Sequence, residues 1–379
     1  MERLNSFQSS VFSTRALTGN WKLKTEKMRI LIATTQVPFI RGGAEAHAEG
    51  LLEALRLEGH EAEIVAVPFK WYPAEKILDH MLACRLLDVT EYAGTPIDLL
   101  IGLKFPAYLI PHPNKVVWIL HQHRTAYELW NHPLGDLIYE PDGALVRDAI
   151  HAADKKILAE ARALYANSGN VARRLRQYCE LDSQPLYHPP PHAEKFYTAG
   201  AVGDYLFFPS RLCRPKRQSL VLEALARTQE PVRVKFSGTP DLPSYINELQ
   251  NLARKLRVRQ RVEWLGQVGE DEKRRLYAES RGVLYPPIDE DYGYVTLEAM
   301  LAAKPVITCT DSGGPLEFVK DNETGLVAEP TAESLAARMD QLWKQQEQAR
   351  EWGRRGRALY DEMGISWTSV VRTLLAQKS

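Results

Sequence analysis

Cysteine is scarce in this chain. Cys84, Cys179, Cys213 and Cys309 are the only four in 379 residues, and no two form a CxxC pair. A structural zinc site or a disulfide framework is therefore not expected, and a reducing cytoplasm is the expected compartment. An excess of one charge is missing too: Lys plus Arg and Asp plus Glu each number 48, giving a formal net charge of zero. That balance speaks against a generally basic nucleic-acid binder, so no nucleic-acid partner is expected. No apolar run approaches the roughly 20 residues needed to span a bilayer. The GxGxxG fingerprint is absent, which makes a dinucleotide-dependent dehydrogenase the weakest candidate. Residues 1–27 have no apolar h-region, so they do not read as a secretory signal. They read as a disordered leader or an over-long start, with an organelle transit peptide as the rival reading, and Met28 opens the first strand.

What is present is alternation. Short apolar runs and helical patterns follow one another, the signature of parallel α/β sheets. Strands are expected at 29–35, 62–67, 98–103, 116–120 and 163–168, with helices near 44–55, 147–162 and 171–178. Residues 183–204, "SQPLYHPPPHAEKFYTAGAVGD", are rich in proline and glycine without a sustained period and read as an interdomain connection. A second alternation follows, with strands at 205–210, 232–238, 262–266, 282–287, 305–310 and 325–329. The expected organisation is a leader (1–27), a first α/β domain (28–190) and a second (191–364). A C-terminal helix (365–379) is expected to pack back on the first domain. Such a pair of sheets places a cleft between the carboxyl ends of its strands.

Three loops at those carboxyl ends carry chemistry. "VPFIRGGAEAH" puts Gly42 and Gly43 before a helix, where backbone N–H groups can approach an anion or a hydroxyl. A purely steric strand–helix turn is the competing reading. "SRLCRPKRQSL" places Arg211 and Lys216 five apart, enough positive charge to neutralise a diphosphate without a metal. Taken alone, it could equally be a solvated basic turn. The third is "DEDYGYVTLEAMLAAKPVITCTDSGGPLEFV". Glu290 falls on a loop, Gly293 allows a tight turn, and Glu298 lies in the first turns of a helix, where a simple capping role is the alternative. Gly314 and Pro315 suit the N-cap and N1 positions of a further short helix. The convergence of these loops fits a ligand bearing both phosphates and hydroxyls.

Two decoys need weighing. Asp289, Glu290 and Asp291 spell the D-x-D by which many sugar transferases hold a divalent metal. With a cationic pair available for phosphates, no metal is expected. His121 and His123, in "VVWILHQHRTAYELW", project near the cleft but have no metal-ligand spacing to other His or Cys. A satisfied structural histidine is the competing reading for either.

Together these residues resemble the family 4 glycosyltransferases, retaining enzymes of the GT-B fold, in which two Rossmann-like doubly wound domains face each other across a cleft. The similarity runs roughly from Met28 to the C terminus and is strongest from Tyr205 to Ala328. Its most specific part is the glutamate–seven residues–glutamate motif, Glu290 and Glu298, followed by "AM…KPVI…SGG…E". Arg211 and Lys216 match the family's "GR…K" loop, with Ser210 in place of the usual glycine. Lys304 likewise stands where many members have glycine. The resemblance implies that Arg211 and Lys216 bind the donor diphosphate and that Glu298 accepts hydrogen bonds from the ribose. It implies that Glu290 faces the transferred sugar, alongside Tyr292, Gly293, Tyr294 and Val295. The backbone of Ser312, Gly313 and Gly314 would help hold sugar and phosphates. Gly42 and Gly43 would lie against donor and acceptor, and Gln267 and Val268 would correspond to the base-binding turn. His121 matches the histidine that contacts the sugar near the reacting carbon, with His123 the runner-up.

The expected activity is transfer of a hexose from a UDP- or GDP-linked sugar to a saccharide or lipid-linked acceptor, with retention. The nucleotide sugar is a co-substrate, and no cofactor or metal is expected. A nucleotide-sugar epimerase on the same fold and a catalytically silent nucleotide-sugar-binding partner are the rival readings. "KFPAYLIPHPNK" (104–115) is the candidate for peripheral contact with the inner face of the membrane, with buried packing as its competing explanation.

Overall fold

The computed structural model of the protein describes residues 21–22, 27–39, 41–200 and 202–378, so the reading of the leader falls mostly outside it. Six strands form the first sheet: β1 (Arg29–Gln36), β2 (Glu61–Pro68), β3 (Leu99–Gly102), β4 (Lys115–Ile119), β5 (Ala163–Ala166) and β6 (Gln184–Pro185). They run parallel in the order β2-β1-β3-β4-β5-β6. The second sheet contains β7 (Leu206–Pro209), β8 (Val234–Ser237), β9 (Val262–Gly266), β10 (Gly282–Leu284), β11 (Val306–Cys309) and β12 (Gly325–Ala328). Its order is β9-β8-β7-β10-β11-β12, again all parallel. Both orders reverse direction beside the first strand, and at that switch point a crevice opens for ligands.

Central strands of such sheets are covered on both faces and so read as continuous apolar runs. In β3 and β4, Leu99, Ile101, Val116 and Trp118 enter one core with α1 (Gly43–Leu57) and α11 (Trp367–Leu375). Their neighbours Leu100, Val117 and Ile119 enter the opposite core with α2 (Glu75–Leu86), α3 (Gly143–Ala159) and α4 (Gly169–Cys179). The second sheet is sandwiched likewise. On one face lie α5 (Gln218–Leu225), α6 (Pro243–Lys255) and α9 (Ala332–Lys344), and on the other α7 (Glu270–Glu279) and α8 (Tyr294–Leu301) with Tyr360 of α10 (Gln346–Glu362).

Helix α11 packs on the first domain, although α10 before it belongs to the second. Arg162 and Tyr165 donate to the carbonyls of Leu374 and Thr373, and the Trp367 ring lies against Gly50 of α1. The chain therefore crosses between the domains twice.

Three differences from the sequence reading stand out. The segment read as a plain connection contains β6, which Leu186 N–H extends by donating to Ala166. Helix α2 has no counterpart in the reading. The membrane candidate at 104–115 is core over 105–110, the packing that competed with the membrane reading: Phe105, Ala107, Tyr108, Leu109 and Ile110 are all buried. Lys115 Nζ donates to the Tyr108 and Ile110 carbonyls.

Candidate active site

A cleft of about 370 Å³ lies between the carboxyl ends of the two sheets. The first domain contributes the start of α1, Lys104 after β3, His121 after β4, Asn167 after β5, and His188 from the connection. The second contributes Arg211 and Lys216 after β7, Tyr285 after β10, and the loop from Glu290 to Val295.

The two glycines at α1 are not required by sterics. Gly42 is extended at φ −160°, and a Cβ at Gly43 would only touch the Tyr294 ring at 3.5 Å. This weakens the steric reading of that turn and favours close approach of a ligand. Gly42 N–H donates to Glu45 at 2.7 Å, which fixes the first turn of the helix.

On the opposite wall, Lys216 Nζ lies 2.5 Å from Glu290 Oε2 and 3.1 Å from the Tyr285 hydroxyl. Arg211, nearer solvent, grips Asp241 through contacts of 2.9 and 3.0 Å. Gly293 begins α8 with φ +87°, and a Cβ there would sit 2.9 Å from the Tyr285 ring. Only glycine meets both demands, and it turns Tyr294 and Val295 into the cleft.

Ser312, Gly313 and Gly314 do not line this cleft. Ser312 Oγ accepts from Cys309 N–H at 3.1 Å, and Gly314 N–H donates to the Glu290 carbonyl at 2.8 Å. They back the Glu290 loop from behind. Gly314 is the first residue of a short 3₁₀ helix (Gly314–Glu317), and Gly313, not Gly314, is its N-cap. Gln267 and Val268 are also outside the lining of the cleft; they follow β9, an edge strand of the second sheet. Glu298 is buried beneath the wall, with Oε1 3.1 Å from Lys273 Nζ and Oε2 accepting from the Tyr277 hydroxyl at 2.6 Å.

The two histidines part company. His121 lines the cleft with Nδ1 2.7 Å from the Gln122 carbonyl. A carbonyl only accepts, so Nδ1 carries the proton and Nε2 is left as an acceptor. Burial lowers the pKa of His121, and Lys104 and Arg124 add to this against Asp291, so the ring is neutral at neutral pH. His123 points away into the first domain, beside Phe69 and Phe105, and burial pushes its pKa down to about 4.

The acidic triplet is a seam between domains. Arg174 of α4 pairs with Asp291 and lies 2.9 Å from Asp289. Arg124 Nη2 donates to the Asp289 carbonyl at 2.8 Å. Burial alone would raise the Asp291 pKa, but Arg124 and Arg174 outweigh it and hold the carboxyl well below its usual range. Nearby, the N–H groups of Gly169 and Asn170 at the start of α4 both donate to Glu317 at 2.8 Å. A carboxylate of one domain thus sits on a helix N-terminus of the other. His188 and Tyr294 add a ring–hydroxyl contact of 2.8 Å across the same seam.

Lys104, Asn167, His188 and Tyr285 line the cleft although the sequence reading did not single them out. Lys104, Asn167 and Tyr285 each follow a strand's carboxyl end, and that position was the available signal. His188 lies in the proline-rich connection and had none.

The model of the family "Glycosyl transferases group 1" matches residues 201–359. A glycosyltransferase of Methanocaldococcus jannaschii, itself uncharacterized, is 24% identical over 83% of this chain and 89% of its own. An alpha-1,3/1,6-mannosyltransferase of Dictyostelium discoideum is 34% identical over 100 residues, 26% of this chain and 24% of that protein. The crystal structure of Anabaena HepE in complex with UDP and glucose superposes with a TM-score of 0.66 at 18% identity. It covers 91% of this chain and 98% of that one. The family match lies over the second domain with its cation and glutamate loops, and the chain shares the GT-B fold, so it is the second domain that matches the group 1 glycosyltransferases.

Proposed function

We propose that the protein transfers a hexose from a UDP- or GDP-linked sugar to a saccharide or lipid-linked acceptor, with retention and without a metal. The observation that carries this reading is the Lys216–Glu290 contact in the cleft, at 2.5 Å. In this state each donor-side cation has a carboxylate partner, Glu290 for Lys216 and Asp241 for Arg211. A diphosphate offers the cations a stronger charge, and its arrival frees Glu290 to accept from sugar hydroxyls. Breaking the sugar–phosphate bond builds negative charge on phosphate, which Lys216 and Arg211 would stabilise. His121, neutral with an unprotonated Nε2, would accept from a sugar hydroxyl rather than add charge.

Glu298 is the proposed ribose reader. Its two oxygens have one partner each, and a carboxylate accepts about four hydrogen bonds, so capacity remains for ribose hydroxyls. Ser312, Gly313 and Gly314 would act through the Glu290 backbone, while Gln267 and Val268 would meet the base at the cleft's margin. The absence of a metal is supported by Asp289 and Asp291, whose carboxylates are engaged by Arg174. The UDP bound to HepE favours a uridine donor, and the Dictyostelium relative's name favours mannose; the proposal keeps both nucleotides. No described helix is long and apolar enough to cross a membrane. Cytoplasmic residence, with contact at the inner face through some other surface than 104–115, belongs to the same proposal.

A thermal-shift panel of UDP- and GDP-sugars with EDTA present tests the reading, since a ligand that binds only the folded state raises apparent stability. One nucleotide class should raise the melting temperature in EDTA. A panel that shifts nothing, or shifts only when a divalent ion is restored, would overturn the donor or the metal-free part respectively.

A further inference from the structure

The cations of the cleft are not equivalent. Lys216 has Glu290 and Tyr285, Arg211 has Asp241, and Arg41 has Glu49 at 2.5 Å. Lys104, half-buried after β3, lines the same cleft. Among the described residues its ammonium has no hydrogen-bond or ion-pair partner. Withdrawing an ammonium from water without a counterion is costly, and a ligand anion is what would offset that cost. Burial lowers the Lys104 pKa and Arg211 across the cleft lowers it further, while Glu45 opposes them. Glu45 is the one first-domain carboxylate lining the cleft among the described residues, and its Oε2 already accepts from Gly42 N–H.

A second feature points to the same wall. Helix α1, 15 residues long, begins at Gly43 with its first turn in the cleft. The amino end of a helix of that length presents unpaired N–H groups and partial positive charge. Lys104 and this helix start both belong to the first domain, whereas the cation pair assigned to the donor diphosphate belongs to the second. A donor diphosphate already met by Arg211 and Lys216 leaves the Lys104 corner for a different anion.

We infer that Lys104, with the amino end of α1, holds an anionic group of the acceptor, a phosphate or a carboxylate near its accepting hydroxyl. The acceptor class is then an acidic saccharide or a phosphorylated sugar or polyol, not a neutral glycan. This rests on the reading of the cleft as a donor and acceptor site.

The test is calorimetric titration of the full chain, saturated with the nucleoside diphosphate that shifts its melting most. The probes are glucose 6-phosphate, glycerol 3-phosphate, glucuronate and glucose. The expected result is at least tenfold tighter binding of one acidic class than of glucose. The phosphate and carboxylate arms identify which acid is read. Lys104→Met should reduce that preference to within about twofold of glucose, and Lys104→Arg should retain most of it. Nucleotide affinity should stay within about twofold of wild type in both variants. Equal binding of acidic and neutral probes by the wild type would overturn the inference. So would a Lys104→Met variant that loses nucleotide affinity but keeps the acid preference, since the cation would then serve the donor. If no nucleotide binds the wild type, the donor reading fails instead. The same probes titrated without nucleotide then still decide the role of Lys104.

Discussion

The two walls of the cleft handle charge in opposite ways. On the second domain, Lys216 and Arg211 each have a carboxylate within 3 Å, in Glu290 and Asp241. On the first, Lys104 has none, and the buried Asn167 Oδ1 and His188 Nδ1 also lack partners. A wall whose cations are internally neutralised keeps its shape when empty and, on the proposed function, would exchange partners when a diphosphate arrives. A wall with orphaned polar groups is complete only with its ligand. The family match covers the first kind of wall and stops short of the second.

The largest effect should come from attacking the self-neutralised wall. Glu290→Ala, or Arg211→Ala with Lys216→Ala, should cut sugar transfer about 10²–10³-fold or more, the scale on which lost electrostatic stabilisation of developing charge is felt. Circular dichroism should show an intact fold. An active Glu290→Ala enzyme would end the role given to that carboxylate. Next comes the seam that holds the walls together. Arg174→Met leaves Asp291 and Asp289 without their main partner and should cost about 3–5 kcal/mol, read by denaturant melts. A loss near zero would make the seam loose and the contrast between the walls an accident of one domain arrangement.

Inside the first domain, Asp154 is fully buried between the Tyr108 and Tyr127 hydroxyls at 2.8 Å each. Burial pushes its pKa up to about 6 from 3.8, although the hydroxyls and Gln122 oppose the shift. A carboxyl with a raised folded-state pKa binds its proton more tightly when folded, so stability falls as pH rises from about 4 to 6. The loss is about 3 kcal/mol at most. Asp154→Asn should flatten that slope, and an unchanged slope would show that the carboxyl is not the titrating group. The smallest effect is expected at Gly50, where a Cβ would lie 2.4 Å from the Trp367 ring. Gly50→Ala should cost about 1–3 kcal/mol by overpacking α1 against α11. No change in a thermal melt would mean that α11 yields easily.

The strands were readable because β3, β4, β7 and β11 are buried along their length and are dominated by apolar residues, broken only by Lys115 at the start of β4 and Thr308 in β11. Helix α2 was not, because Leu82 and Leu86 lie exposed opposite its buried Ile77, Met81 and Cys84, which blurs the period. Glu290, Lys216 and His121 were legible from their places at strand ends. The seam was invisible, since Arg174 and Asp291 stand 117 positions apart and nothing local joins them. Lys104 was hidden for a different reason. It opens an apolar stretch whose composition suggested a surface, while its meaning depended on the partners it lacks.

The double crossing of the chain makes each half a ligand of the other. A single cut between residues 191 and 200 would leave a first fragment with α1 but without α11, the second of the two helices on one face of its sheet. The second fragment would carry that helix, α11, as a ready-made plug. Such a nicked protein should run as one species under native conditions and as two in denaturant, and it could serve as a split reporter.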